Sequence, residues 1–191
     1  MPNFIKSALL PSDWIHDQVT EFCLIGRSNV GKSTLINALA KTKIAVTSKT
    51  PGRTHTVNFY DFDRFRLVDL PGYGYADYSN EKKDEMRYTI DTYLSKRINL
   101  YGVFHVIDAG VITKLDQEMS VYFKSKFVNH FIIVNKIDKL NQSEKSNLVK
   151  KVSSYTKVPN EKIIVISAKK SIGINQIWTT INSCLKSIKI N

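Results

Sequence analysis

Short apolar runs alternate along the chain with longer segments in which apolar residues recur every three or four positions. The short runs are rich in β-branched and aromatic residues, which is typical of buried strands. They predict strands at Glu21–Ile25, Val57–Phe62, Phe65–Leu70, Val103–Ile107, Phe131–Asn135 and Ile163–Ile166. The longer segments predict helices at Lys32–Ala40, Asn80–Lys96, Leu115–Phe127, Ser143–Thr156 and Ile174–Ile188.

This alternation predicts an α/β fold in three layers, with helices on both faces of a six-stranded, mainly parallel sheet. The link Asp61–Asp63 is too short for a crossover, so one strand should run antiparallel. The 191 residues suit a single domain over 1–191, with 1–18 as an N-terminal extension. Because ligands of such sheets bind beyond the carboxyl ends of the strands, the loops there should carry the chemistry.

The loop after the first predicted strand carries a complete GxxxxGK[ST] motif and leads directly into a helix, as a phosphate-binding loop requires. Its N–H groups and the helix N-terminus can bind phosphates. Lys32 can reach the β- and γ-phosphates, and the Ser33 hydroxyl can ligate Mg²⁺. The predicted contacts are Gly26, Arg27, Ser28, Asn29, Val30, Gly31, Lys32 and Ser33.

A second motif indicates which base is bound. Asn135, Lys136, Ile137 and Asp138 follow the fifth predicted strand. An ionised carboxylate only accepts hydrogen bonds, so Asp138 can bind the N1–H and N2–H₂ donors of guanine, a pair that adenine lacks. The stem of Lys136 can cover the purine face, and Asn135 can join this loop to its neighbours. The ligand should therefore be GTP or GDP, and an ATP-using kinase or ATPase is disfavoured.

Two further loops complete the expected site. Asp69, Leu70, Pro71 and Gly72 form a DxxG element after the third predicted strand. In this element Asp69 can hold a Mg²⁺-bound water, and the Gly72 N–H can meet the γ-phosphate. Ser167, Ala168 and Lys169 follow the sixth predicted strand, where the Ala168 N–H can donate to the guanine oxygen.

The polar segment from Thr47 to Thr56 joins the first helix to the second strand and suits a mobile switch. A threonine here can ligate Mg²⁺ only when a γ-phosphate draws the loop inward. The composition leaves open which threonine does so.

With these motifs in place, the chain resembles the EngB family of bacterial ribosome-assembly GTPases, in the translation-factor-like P-loop class. The resemblance covers almost the whole chain. It rests on GRSNVGKSTLINAL at Gly26–Leu39, TPGRTHTVNFY at Thr50–Tyr60 and LVDLPGYGYA at Leu67–Ala76. It implies a Ras-like P-loop GTPase fold, slow GTP hydrolysis as a molecular switch, the large ribosomal subunit as partner through RNA or protein, and a requirement in cell division and septation.

The resemblance also assigns individual residues. It implies that Thr54 is the switch threonine, a Mg²⁺ ligand together with Ser33 and a catalytic group. It brings a segment to the nucleotide that consists of Gly52, Arg53, Thr54, His55 and Thr56. Asn29 stands where K⁺-dependent GTPases with a GxxNxGKS pattern hold the ion, so it is a second catalytic candidate. The alternative is that Asn29 caps backbone groups of its loop.

Tyr73 follows the DxxG element, at the position where Ras-type switches carry the glutamine that orients the attacking water. A tyrosine cannot replace the amide, so unassisted turnover should be slow. Tyr73, Tyr75 and Tyr78 are either a partner-facing patch or packing beneath a loop. His105 should be a core histidine, and His130 should lie at the surface.

Charge and composition bear on the partner and the location of the protein. Residues 96–191 hold 16 of the 28 basic residues but only 6 of the 17 acidic ones, so this half can meet RNA phosphates or an anionic membrane surface. AT-rich codon usage would produce the same lysine bias without a functional cause. Two cysteines and the lack of a long apolar stretch predict a cytoplasmic protein without membrane insertion. We also expect the protein to be a monomer. The remaining alternative for function is a GTP-dependent scaffold or regulator at the division septum.

Overall fold

The computed structural model describes residues 1–47, 56–74 and 79–188. Its strands are β1 (Asn3–Ala8), β2 (Glu21–Gly26), β3 (Val57–Asp61), β4 (Arg66–Asp69), β5 (Leu100–Asp108), β6 (His130–Asn135) and β7 (Ile163–Val165). Its helices are α1 (Lys32–Ala40), α2 (Asn80–Lys96), α3 (Lys114–Lys126), α4 (Gln142–Ser146), α5 (Leu148–Thr156) and α6 (Ile174–Ile188). Within these residues, no helix is long and apolar enough to span a membrane.

The strands of the described residues form one sheet in the order β1-β3-β4-β2-β5-β6-β7. β3 runs antiparallel to β1 and β4, and the other neighbouring pairs are parallel. The tight turn between β3 and β4 is closed by the Phe62 N–H, which donates to the Phe65 carbonyl at 3.0 Å. The predicted α/β fold with one antiparallel strand is therefore confirmed.

The sheet contains a seventh strand that the sequence pattern does not predict. β1 lies inside the segment 1–18 that was expected to be an extension, and it pairs with β3 from Asn3 opposite Asp61 to Ala8 opposite Val57. Because β1 is an edge strand, Ala8 alone among its six residues is buried. No alternation of buried and exposed positions marks this segment, so the expected count of six strands was wrong.

The predicted helix Ser143–Thr156 is divided into α4 and α5. Asn147 separates the two, with φ −104° and ψ 1°, outside the α-helical region. A capping box starts α4, because Asn141 Oδ1 accepts from the Glu144 N–H at 2.9 Å and Glu144 Oε2 accepts from the Asn141 N–H at 2.8 Å. The break lets α5 pack against β6 and β7.

Successive residues of β2 face opposite sides of the sheet. Phe22 and Leu24 pack into the core beneath α1 and α6, whereas Cys23 and Ile25 pack into the core beneath α2 and α3. All four side chains are fully buried, as expected for a strand covered on both faces. The three layers thus place the loops that follow β2, β4, β6 and β7 at the carboxyl edge of the parallel strands.

Candidate nucleotide site

The phosphate-binding loop leaves β2 at Gly26 and enters α1 at Lys32. Gly31 precedes α1 with φ 99°, and a Cβ atom there would lie 2.5 Å from Asn135 Nδ2. A Cβ atom on Gly26 would lie 2.2 Å from the Val106 carbonyl oxygen. Gly31 is therefore favoured by its left-handed backbone, and Gly26 by the close approach of a neighbouring carbonyl oxygen. The helix N-terminus that follows can bind an anion through its first N–H groups.

Lys32 lies opposite Asp69, the last residue of β4. Lys32 Nζ is 3.7 Å from Asp69 Oδ1, an ion pair that is longer than a hydrogen bond. Burial raises the pKa of Asp69, and the Lys32 charge opposes that shift. Asp69 Oδ1 is buried and accepts no hydrogen bond from the residues that the structure describes. Together with the Ser33 hydroxyl in the first turn of α1, this oxygen fits the ligand preference of Mg²⁺.

Asn135 joins three loops, which confirms the expectation that it ties its loop to the neighbouring ones. Its Nδ2 donates to the Val30 carbonyl of the phosphate-binding loop at 2.9 Å. Its Oδ1 accepts from the Ala168 N–H at 3.0 Å and from the Lys136 N–H at 2.8 Å. Asn135 is 2% exposed, so these hydrogen bonds hold the loops together without competition from water.

Lys136 is held by a carboxylate that none of the sequence motifs contains. Its Nζ donates to Asp108 Oδ2 and to the Asn29 carbonyl, both at 2.6 Å. Asp108 ends β5, which lies between β2 and β6 in the sheet. Its position at the carboxyl end of a central strand was the signal that could have identified it. The pair fixes the Lys136 stem, the group expected to cover the purine.

Asp138 accepts a hydrogen bond from the Ser167 hydroxyl, with 2.5 Å between Oδ1 and Oγ. This hydrogen bond is the main cause that lowers the pKa of Asp138, and the charge of Lys169 adds to it. Asp138 is therefore ionised at neutral pH, as a guanine acceptor must be. The loops after β6 and β7 thus come together as the sequence predicts.

Three predicted contact residues turn their side chains into the core. These residues are Val30, Leu70 and Ala168. Each can contribute only backbone groups to a ligand. The Leu70 N–H already donates to the Leu24 carbonyl at 3.0 Å, so the DxxG loop starts as an extension of the pairing between β4 and β2.

Asn29 adopts a left-handed conformation with φ 62°, and its side chain is exposed. Its carbonyl oxygen accepts from Lys136 Nζ. Within residues 1–47, 56–74 and 79–188 its side chain makes no hydrogen bond, so no capping of backbone groups is seen there. No residue of these ranges occupies the side-chain oxygen, which can therefore meet a cation there.

Tyr73 is buried, which decides between packing and a partner-facing surface for this residue. Its hydroxyl lies 2.9 Å from Asp116 Oδ1 and 2.5 Å from His105 Nε2. Tyr75 and Tyr78 lie outside the described residues. The same holds for Gly52, Arg53, Thr54 and His55. Thr56 is described, and its hydroxyl donates to Asn58 Oδ1 at 3.2 Å.

His105 is a core histidine, as expected, with Nδ1 2.9 Å from Ser120 Oγ. The surface position expected for His130 is wrong, because its side chain is 2% exposed. His130 begins β6 and stacks on His105 with 6.0 Å between ring centroids. Burial lowers the pKa of His105 to about 4 and that of His130 to about 3, so both rings are neutral.

A family model described as a 50S ribosome-binding GTPase matches residues 21–136, more than half of the chain. A probable GTP-binding protein EngB of Malacoplasma penetrans is 50% identical over 185 residues, which cover 97% of this chain and 100% of that protein. A probable GTP-binding protein EngB of Mycoplasmoides gallisepticum is 48% identical over 181 residues, which cover 95% of this chain and 97% of that protein.

Solved structures share the fold. A probable GTP-binding protein EngB matches with a TM-score of 0.73 at 24% identity, over 88% of this chain and 100% of that chain. Era, in complex with MgGDPNP and a segment of 16S ribosomal RNA, matches with a TM-score of 0.67 at 24% identity, over 90% of this chain and 57% of that chain. At these identities the likeness establishes the Ras-like P-loop fold. The family model and the nearly full-length relatives go further, and they show that the chain belongs to the EngB family of GTP-binding proteins and is a GTPase.

Proposed function

We propose that this GTPase is a molecular switch that hydrolyses GTP slowly and acts in the assembly of the large ribosomal subunit. The protein is also required for normal cell division and septation. The protein is a cytoplasmic monomer, and residues 1–191 form a single GTP-binding domain. The ribosome-binding description of the matching family supports the partner, and the pairing of β1 with β3 supports the inclusion of the first residues in the domain.

The observation that carries this proposal is the position of Asn135. Its side chain joins the loop that binds phosphates to the two loops that would read guanine. The loop that would sense the γ-phosphate and the loops that would bind the base are therefore parts of one connected site. A switch needs this combination, because it must hold the nucleotide in both states and respond to only one of them.

The proposed nucleotide contacts come from five segments of the chain. They are Gly26, Arg27, Ser28, Asn29, Val30, Gly31, Lys32, Ser33, Gly52, Arg53, Thr54, His55, Thr56, Asp69, Leu70, Pro71, Gly72, Asn135, Lys136, Ile137, Asp138, Ser167, Ala168 and Lys169. Ser33 and Thr54 would ligate Mg²⁺, with Asp69 holding a metal-bound water. The ion neutralises charge between the β- and γ-phosphates when it is bound.

Slow hydrolysis follows from the residue after the DxxG element. The hydroxyl of Tyr73 is engaged by Asp116 and His105, so Tyr73 has no free polar group to orient the attacking water. We assign the catalytic groups to Thr54 and Asn29, the latter through K⁺ bound at its exposed side-chain oxygen. The engagement of Lys136 with the Asn29 carbonyl holds that residue in its left-handed conformation.

Contact with ribosomal RNA is supported by charge. Among the described residues from 96 to 188, Arg97, Lys114 and Lys136 are the basic residues that pair with carboxylates. The other lysines of this half have no carboxylate partner there, so their charge can meet phosphates. Binding that releases counterions should weaken steeply as salt rises.

Sedimentation of purified ribosomal particles with the protein tests the partner. The protein should sediment with large-subunit particles in a non-hydrolysable GTP analogue and not in GDP, and the association should fall between 50 and 200 mM salt. Asp138→Asn is the control, because this variant should keep its fold but should no longer sediment with the particles in response to the GTP analogue. Association that is absent in both nucleotides, with localisation of the protein at the septum, would favour the division-site scaffold instead.

A further inference from the structure

A buried hydrogen-bond network joins the loop after β4 to the phosphate-binding loop and to α3. Its centre is Asp116, a fully buried residue in the first turn of α3. Arg27 Nε donates to both oxygens of this carboxylate, at 3.1 and 3.0 Å, and the Tyr73 hydroxyl donates to Oδ1 at 2.9 Å. One carboxylate therefore holds residues from two loops of the nucleotide site.

The network continues into the core in one consistent direction. Because the Tyr73 hydroxyl donates to Asp116, its oxygen accepts from His105 Nε2–H. His105 Nδ1 then accepts from the Ser120 hydroxyl at 2.9 Å. Thr113 donates its N–H and its hydroxyl to Asp116 Oδ2, both at 2.8 Å. Every polar group in this chain of contacts has a partner, so the Tyr73 ring is held in one position.

The backbone of Tyr73 is held as well. Its N–H donates to the Gly26 carbonyl at 3.3 Å, and its carbonyl accepts from the Ser28 N–H at 3.4 Å. These two contacts pair Tyr73 with Arg27 as a short parallel bridge. Gly72, whose N–H is the expected donor to the γ-phosphate, is the residue before Tyr73. Fixing the side chain and backbone of Tyr73 therefore fixes Gly72 against the phosphate-binding loop.

We propose that Tyr73 and Asp116 are positioning residues for GTP hydrolysis, because they hold the Gly72 N–H in place beside the phosphate-binding loop. This inference rests on the proposed contact between Gly72 and the γ-phosphate. GDP has no γ-phosphate, so its binding does not depend on where Gly72 lies. Loss of the network should therefore weaken the triphosphate state and slow its hydrolysis while leaving the diphosphate state unchanged.

Tyr73→Phe tests the inference, with Tyr93→Phe as a matched control. Tyr93 is also a fully buried tyrosine whose hydroxyl donates to a buried carboxylate, Glu21 Oε2, at 2.7 Å. Glu21 begins β2, so this second pair lies at the opposite edge of the sheet from the nucleotide loops. Both variants remove one buried tyrosine–carboxylate hydrogen bond. Tyr73→Phe also leaves His105 Nε2–H without its acceptor, so it should lower the thermal midpoint by at least as much as Tyr93→Phe.

Three quantities separate the two variants: the single-turnover hydrolysis rate at saturating GTP, the Kd of GDP, and the Kd of a non-hydrolysable GTP analogue. Tyr73→Phe should lower the rate about fivefold or more and weaken the analogue about threefold or more, the loss expected for one hydrogen bond. Its Kd for GDP should stay within about twofold of the parent. Tyr93→Phe should leave all three within about twofold. Asp116→Asn should also lower the rate and weaken the analogue, and because it disturbs Arg27 of the phosphate-binding loop as well, only Tyr73→Phe is held to an unchanged Kd for GDP.

A parent-like rate in Tyr73→Phe and Asp116→Asn would overturn the proposal, as would equal losses in the two tyrosine variants. Gly72→Ala distinguishes the possible reasons. If Gly72→Ala also leaves the ratio of analogue affinity to GDP affinity unchanged, the contact between Gly72 and the γ-phosphate is wrong. If Gly72→Ala changes that ratio and Tyr73→Phe does not, the contact stands and the positioning role alone fails.

Discussion

Replacing Asp138 by asparagine should exchange the base that the protein prefers. Asp138 Oδ1 accepts from the Ser167 hydroxyl, and the Ser167 oxygen itself accepts from the Lys170 N–H at 3.2 Å. The hydroxyl hydrogen is therefore directed at residue 138, and an asparagine there keeps its oxygen on that side. Its new Nδ2–H₂ then takes the place of the second carboxylate oxygen.

The size of the effect follows from the hydrogen bonds that change. Guanine presents N–H donors at N1 and N2, so Nδ2 of the asparagine would face a donor, and one charge-assisted hydrogen bond would be lost. Such a bond contributes about 1.5–3 kcal/mol. GTP should bind about 10- to 150-fold more weakly, because 1.4 kcal/mol corresponds to a factor of ten. Xanthosine triphosphate carries an acceptor at position 2, so its affinity should rise by a comparable factor.

Isothermal titration of the parent and of Asp138→Asn with both nucleotides measures these changes. Asp138→Ala is the control, because it removes the acceptor without adding a donor and should weaken both nucleotides. A parent-like affinity of Asp138→Asn for GTP would refute the base pocket. Weaker binding of GTP without any gain for xanthosine triphosphate would refute the orientation that Ser167 is argued to impose.

Three other perturbations probe the cation, the core and the buried histidines. Single-turnover hydrolysis should be about tenfold or more faster in potassium than in sodium, which corresponds to about 1.4 kcal/mol of activation free energy. Asn29→Ala should remove this difference. Equal rates in both salts would contradict a K⁺ site. Glu21→Gln should lower the free energy of unfolding, measured in urea, by about 3–5 kcal/mol, because Arg66 and Arg97 would lose the buried carboxylate that they both contact. A loss below about 1 kcal/mol would contradict this role of Glu21. The pKa of His130 is lowered to about 3 in the folded protein, so between pH 6.5 and about pH 3 the unfolded chain binds this proton first. His130 should therefore contribute about 1.4 kcal/mol per pH unit to the fall in the free energy of unfolding over that range, in addition to the contribution of His105. His130→Phe should remove this share of the slope, and a flat profile in the parent would contradict it.

The loops of the site could be predicted because each motif is a short run whose chemistry is local. GxxxxGKS and NKID contain within themselves the groups for phosphate and guanine, and the alternation of strands and helices places both at one edge of the sheet. The residues that hold these loops could not be predicted in the same way. Arg27 and Asp116 are 89 positions apart, and no spacing rule relates a residue of a phosphate-binding loop to the first turn of a later helix.

Two sequence-based predictions about the fold were wrong, and the physical causes are of the same kind. β1 is a strand because its backbone pairs with β3, while only Ala8 of its six residues is buried, so hydrophobic alternation gives no signal. His130 was expected at the surface, but its place in β6, opposite Val103 of β5, packs its ring against Phe123 of α3. In both cases the position of the residue is set by its contacts with a neighbouring strand or with a helix of the adjacent layer.

The phosphate-binding loop is held from two sides, and the two sides differ in what they do. On one side Asn135 and Lys136 fix the Val30 and Asn29 carbonyls, so this grip belongs to the base loop and works whichever nucleotide is bound. On the other side Asp116 fixes Arg27 and Tyr73, so this contact reaches the loop that we propose meets the γ-phosphate. A structural change at the start of α3 would therefore alter hydrolysis without altering the hold on guanine. Such a change is the kind that a bound partner can impose on a switch.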